Sequence, residues 1–192
     1  MSKVITPEAI LSYPNLFEPQ APKGGKGAAK YSCALVFPEG TDLSGLEAAV
    51  DAVGIAKFGE AKYREMVKKK QLKLPFREGA EKDYADGSTF INVRSTNQPG
   101  VVDRIADPAT GKPRVITEAA EVYAGCFVRA SLAAFYYDTE GNKGITFGLN
   151  NVQKLRDCAP DQRLDGRKRA EDEFDAEAPS AENAAGLDGL LD

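Results

Sequence analysis

Val122-Tyr-Ala-Gly-Cys-Phe-Val-Arg-Ala-Ser-Leu-Ala-Ala-Phe-Tyr-Tyr-Asp138 is the stretch on which the fold turns. From Cys126 onward it alternates. Cys126, Val128, Ala130, Leu132 and Ala134 form one small apolar row, and Phe127, Arg129, Ser131, Ala133, Phe135 and Tyr137 form the other. A period of two is the signature of a strand with one face in a core. The run exceeds the usual strand length, so a bend at Gly125 or a bulge is expected. The second row places an arginine among aromatics. Rings on which bases stack, beside cations along a phosphate path, are what a single-strand-binding surface needs. Alternation alone leaves open whether that row meets a ligand or is covered by helices, with Arg129 only laying its stem over apolar surface.

The neighbouring segments repeat the texture. Thr89 to Arg94, Val101 to Ile105 and Ile145 to Leu155 are rich in β-branched or aromatic residues, separated by turn-forming runs at Asp107 to Gly111 and Glu140 to Gly144. In the first of them Ile91 and Val93 are expected to face inward, with Phe90, Asn92 and Arg94 outward. Tyr31 to Phe37, stopped by Pro38, reads as a further buried strand. Before it, Pro7, Pro14, Pro19 and Pro22 argue against a helix or a central strand. Two helices interrupt the strands at about residues 43–71. Ser44 with Glu47 suggests a capping box for the first, whose apolar stripe is Leu43, Leu46, Val50 and Val53. The second turns Tyr63, Met66 and Val67 inward. The expected fold is mainly β with inserted helices, in a small closed or partly open barrel.

Charge divides the chain. Residues 170–192 hold eight acids and no Lys or Arg, so of 25 bases and 29 acids the first 169 residues keep 25 against 21, a net of +4. A whole-chain charge of −4 therefore hides a basic body. Apolar periodicity ends after Cys158, and Ala, Glu, Asp, Pro and Ser dominate thereafter. Residues 1–158 are thus expected to form one domain and 159–192 a disordered acidic tail. No signal-like or membrane-length apolar run occurs, which points to a soluble intracellular protein.

The chain has no histidine, the commonest general base near neutral pH and the commonest metal ligand. A carboxylate-only metal site could draw on Asp83, Asp86, Asp103 and Asp107, but these stand in turn-like contexts that Asp favours for its own backbone bonding. No enzymatic activity, metal or cofactor is expected. Cys33, Cys126 and Cys158 match neither zinc nor disulfide spacing and read as inert thiols. The candidate nucleic-acid-binding residues are Lys30, Tyr31, Lys73, Phe76, Arg77, Phe90, Arg94, Lys112, Arg114, Arg129, Phe135, Tyr137 and Lys143, with Lys23 and Lys26 as further loop cations.

Five motifs in order resemble the phage-encoded single-stranded DNA-binding proteins long catalogued as a domain of unknown function. They are Ser95 to Asp103, Tyr123-Ala-Gly-Cys126, Tyr136-Tyr-Asp138, Gly141-Asn-Lys-Gly144 and Leu149-Asn-Asn-Val-Gln153, within a likeness running from about Val4 to Arg156. The resemblance implies an OB-fold, a five-stranded barrel without enzymatic activity. It implies sequence-tolerant binding of single-stranded DNA in phage replication or recombination, in the cytoplasm of the infected bacterial host. It also implies a tail that competes for the DNA site or docks on phage or host replication proteins. Here the tail ends in Leu190-Leu191-Asp192, without the terminal aromatic that such tails often carry. An RNA- or duplex-binding module and a non-catalytic phage scaffold protein are the alternatives.

Overall fold

The computed structural model describes residues 3–167 except 23, 25, 26 and 140. Nine strands and two helices follow one another as β1 (Lys3–Ile5), β2 (Ala9–Gln20), β3 (Lys30–Phe37), α1 (Ser44–Phe58), α2 (Glu60–Lys68), β4 (Arg77–Glu78), β5 (Thr89–Ser95), β6 (Gly100–Ala106), β7 (Pro113–Val115), β8 (Phe127–Thr139) and β9 (Asn142–Arg156). The chain is mainly β with inserted helices, as the periodicities require.

Pairing runs β8, β2, β3, β5, β9 and back to β8, so five strands form a ring. Every pairing in it is antiparallel except that of β5 with β9, which meet in parallel where Arg94 stands opposite Gly148. Two short ribbons extend it: β1 continues along β8, and β6 runs parallel to β9 with β7 on its outer edge. The inward rows Leu35 and Phe37, Ile91 and Val93, Leu132 and Ala134, Ile145 and Phe147 build one core. The helices add Leu46, Val50, Tyr63 and Met66 to it.

Helix α1 packs against β1, β8 and β9, and Phe58 meets Tyr136 edge-on with centroids 5.3 Å apart. Tyr136 follows Leu132 and Ala134 in the inward row, so the helices cover that side and leave the Arg129–Phe135 row uncovered by them. Tyr63 of α2 is fully buried, with its hydroxyl donating to Asp51 of α1 at 2.8 Å. Burial and that carboxylate push the Tyr63 phenol up to about 12.

Four sequence expectations need correction. No capping box forms: the N-cap residue is Leu43, whose side chain cannot accept a hydrogen bond, and the Ser44 amide donates to Asp42 at 2.9 Å. Asp42 supplies the oxygen instead, through an Asx-type turn. The prolines do not keep the N-terminal segment out of the ring. Pro14 and Pro19 lie in β2 at register shifts against β3, and β2 pairs with β8 only at Ala9 and Ile10. Irregular pairing on one side and a short pairing on the other remove the need for the missing donors. The bend expected at Gly125 is present, with φ 111°, and it makes the long strand start at Phe127 rather than Val122. Finally, packing does not stop at Cys158. The Leu164 amide donates to the Ala124 carbonyl at 3.1 Å, and Arg163 lies over the Tyr123 ring at 4.0 Å. Contacts with the body therefore continue at least to Leu164. The acidic stretch 170–192 lies outside the described residues.

Gly125 carries the bend and the attachment together, since a Cβ there would stand 2.9 Å from the Gln162 carbonyl oxygen. Gly125→Ala should combine a rarely adopted backbone angle with an overpacked contact, costing about 2–4 kcal/mol. Urea unfolding measures the loss, and trypsin should cut after Arg163 and Arg167 faster than in the parent chain.

Candidate nucleic-acid interface

The outward row of β8 anchors the candidate face. Phe135 stays 38% exposed, whereas the other large rings of β3, β5, β8 and β9 are buried or half-buried. It leans over Gly148 of β9, where a Cβ would find only the Phe135 ring and the Ala133 carbonyl nearby, the nearest atom at 3.5 Å. Gly148 thus leaves a flat floor between Phe135 and Arg94, its partner on β5.

Grooves flank this floor. One, of about 620 Å³, lies by the β2–β3 connection and is lined by Gln20, Pro22, Ala28, Lys30, Ser32 and Arg94. The other, of about 560 Å³, includes Lys73, Phe76, Arg77, Asn92, Tyr137 and Thr146. Asn92 and Arg94 alternate outward on β5, so the grooves adjoin along one strand. Lys30, Lys73 and Arg94 are exposed and make no ion pair with any described residue. Arg77 is held by Glu81 at 2.6 Å.

The second groove depends on a crossing. Residues 72–76 pass over β9 at Gly144, where the Ile145 amide donates to the Lys73 carbonyl at 2.9 Å and the Lys73 amide to the Lys143 carbonyl at 3.1 Å. A Cβ on Gly144 would sit 2.5 Å from the Lys73 carbonyl oxygen and 2.7 Å from the Tyr137 hydroxyl. Only glycine admits this approach, which brings Lys73, Phe76 and Arg77 beside Tyr137.

The structure thus gathers Lys30, Lys73, Arg77, Arg94, Phe135 and Tyr137 along one outer face, with Phe76 at the edge of the second groove, packed against the core. Phe76 is half-buried there, edge-on to Phe147 with centroids 6.2 Å apart. Arg129 shares the outward row but lies six residues from Phe135, roughly 20 Å along the strand, where its Nε donates to Gln153 at 2.7 Å. Other expected residues fall elsewhere. Phe90 points outward as predicted yet is fully buried, because Tyr84 packs edge-on against it at 5.5 Å and Arg77 lies over it at 5.7 Å. Tyr31 belongs to the inward row with Cys33 and Leu35, and Lys143 is half-buried at the tip of the β8–β9 hairpin.

Lys112 and Arg114 lie in the β6–β7 ribbon, away from the grooves. Arg114 is occupied there by Asp103 at 3.0 Å and Glu121 at 2.6 Å. Asp107 accepts from the Ala109 and Thr110 amides, the turn role its context suggested. Among the described residues no three His, Cys, Asp or Glu gather as metal ligands, and no helix is long and apolar enough to cross a membrane. The sequence reading missed the groove-lining Ser32 and Thr146, the floor at Gly148, and the roof formed by Tyr84. No local signal marks Tyr84 as a roof, since its partner Ser12 is 72 residues away.

A five-stranded ring with two grooves on one outer face, lined by cations that pair with no described carboxylate, defines a β-rich domain with an open, cationic face. The chain belongs to the family described as "Enterobacter phage Enc34, ssDNA-binding protein", whose match spans residues 2–184. The single-stranded DNA-binding protein of bacteriophage Enc34 has a similar fold, with a TM-score of 0.56 and 23% identity over 90% of each chain. That protein in complex with ssDNA gives 0.55 and 22%, over 82% of this chain and 88% of that one. Bacteriophage T7 gp2.5, a single-stranded DNA-binding protein, gives 0.57 at 14% identity, over 88% of this chain and 98% of that one. No curated protein matches the chain.

The Arg114 cluster should act on stability rather than on binding. Burial of Asp103 works against its charge, but hydrogen bonds from Arg114 and the Ile105 and Arg104 amides outweigh it, so its carboxyl lies below the ordinary value. Glu121 is lowered first by its hydrogen bond to Arg114. Carboxyls depressed in the folded state stabilise it above their unfolded pKa values, and that contribution disappears as pH falls through the folded values. Arg114→Leu should therefore lower the urea midpoint at pH 7 more than at pH 3. Equal losses at both would remove the cluster from the acid response.

Proposed function

We propose that this chain is a non-catalytic OB-fold protein that binds and protects single-stranded DNA without sequence preference, in phage replication or recombination in the host cytoplasm. Family membership and the ssDNA complex of the Enc34 relative support the ligand. Ring order supports the fold name, with β2, β3, β5, β8 and β9 as its five strands. OB-folds bind oligonucleotides across the second and third strands and the loops after the first and fourth. Those strands are β3 and β5 here, and the loops adjoin the Lys30/Arg94 and Tyr137/Lys73 grooves.

The observation that carries the reading is the exposed Phe135 ring over the Gly148 floor, beside Lys30, Lys73 and Arg94, which make no ion pair with any described residue. Bases stack on the ring and sequence does not matter, because every base has a π-face. Lys30, Lys73, Arg77 and Arg94 take phosphates. Arg77 leaves Glu81 to do so, a small cost for an exposed ion pair.

Single strands release about 0.7 counterion per neutralised phosphate, so the four cations imply a slope of log affinity against log salt of about −3. Fluorescence titration with oligo-dT at several salt concentrations measures it. Arg94→Ala should flatten the slope by about 0.7, and Phe135→Ala should weaken binding about tenfold with the slope unchanged. Salt-independent or absent affinity would instead favour a scaffold protein, and tighter binding of oligo-U or duplex would reassign the ligand.

The −8 stretch at 170–192 is read as a tethered competitor for the basic face and as a hook for replication proteins. Tethering to a body of opposite charge gives it a high effective concentration. Deleting it after residue 169 should tighten oligo-dT binding at low salt. Identical titration curves would leave only the partner role.

A further inference from the structure

Tyr13 is the exposed aromatic that the fold does not need. It lies in β2 between Ser12 and Pro14, where the register against β3 shifts, and its φ is 48°. A bulky residue is rarely left-handed, and one before proline is pushed towards extended backbone. Glycine or asparagine would form this irregularity with less strain. Burial does not compensate, since Tyr13 is 60% exposed. Strain kept at an exposed aromatic directs attention to what the ring meets.

Its surroundings have the chemistry of the main face. The Lys82 ammonium stands 5.5 Å from the centre of the Tyr13 ring. Next in the chain, Ser12 accepts a 2.9 Å hydrogen bond from Tyr84, the ring that roofs Phe90. Ser12 is paired with Ala34 on β3, and Ala34 with Asn92 on β5. Two strand spacings, about 10 Å in all, therefore separate the Tyr13 bulge from Asn92 in the floor of the second groove. Tyr13 and Lys82 flank the roof on the margin of the face opposite Phe135.

We infer that Tyr13 and Lys82 form an additional nucleotide subsite, with a base of the single strand stacked on the Tyr13 ring and the adjoining phosphate on Lys82. The subsite rests on the proposed binding of single-stranded DNA and lengthens its path across β2. The bulge holds the ring away from the sheet, where a base can reach it, and Lys82 supplies a cation that makes no ion pair with a described residue.

The chain contains no tryptophan, so a single Trp is an unambiguous reporter. In the full chain, Tyr13→Trp fluorescence should be quenched by saturating oligo-dT, as should that of Phe135→Trp. Tyr13→Asn, which suits the left-handed backbone, should raise the Kd for oligo-dT about tenfold without lowering Tm. Lys82→Gln should flatten the salt slope by about 0.7. Quenching at position 135 but not 13, with Tyr13→Asn binding like the parent, would overturn the subsite and leave the main face standing. Failure of the parent chain to bind oligo-dT at low salt would overturn both.

Discussion

The pairing of β8 with β9, from Phe127 opposite Arg156 to Thr139 opposite Asn142, is the constraint on which the rest depends. It closes the ring, since β9 also meets β5 and β8 also meets β2. It also commits the side chains. With Val128, Ala130, Leu132 and Ala134 buried, alternation sends Arg129, Phe135 and Tyr137 to the other side. Bulges in β9 at its register shifts bend the hairpin without disturbing the β8 rows.

Glycine turns that ring into a surface. At Gly144 the absent side chain lets residues 72–76 cross and deliver cations to Tyr137; at Gly148 it opens the floor beneath Phe135. The motif Gly141-Asn-Lys-Gly144 thus has a steric reason. So does Tyr123-Ala-Gly-Cys126, which turns the chain into β8 and receives residues 160–164 on its back. Both motifs organise backbone around the face.

Electrostatics sort the cations by partner rather than by residue type. Arg114 and Arg156 look equivalent to Arg94 in sequence. The first is occupied by Asp103 and Glu121, and the second by Glu8 while it lies 3.3 Å over the Phe127 ring. Arg94 has no such neighbour among the described residues, because the floor beside it is glycine. A cation already hydrogen-bonded to carboxylates must lose those bonds before it can meet a phosphate, whereas an exposed unpaired one has only water to displace.

Local chemistry was sufficient for the period-two rows of β8, the turn at 107–111, the hairpin connection between β8 and β9, the helical insertion, and the division into a basic body and an acidic stretch. Each depends on residues close in the chain. The failures were those of distance. Phe90 alternates outward as its strand demands, but a tyrosine six residues earlier in chain, anchored to Ser12, buries it. Prolines in β2 were misread because their cost depends on which partner strand is missing a donor, and Arg114 because its carboxylates arrive from another strand and a short helical turn. The sequence by itself therefore determined which side chains leave the sheet. Tertiary structure alone decided which of them remain in water, because exposure is set by segments that meet only after the ring has closed.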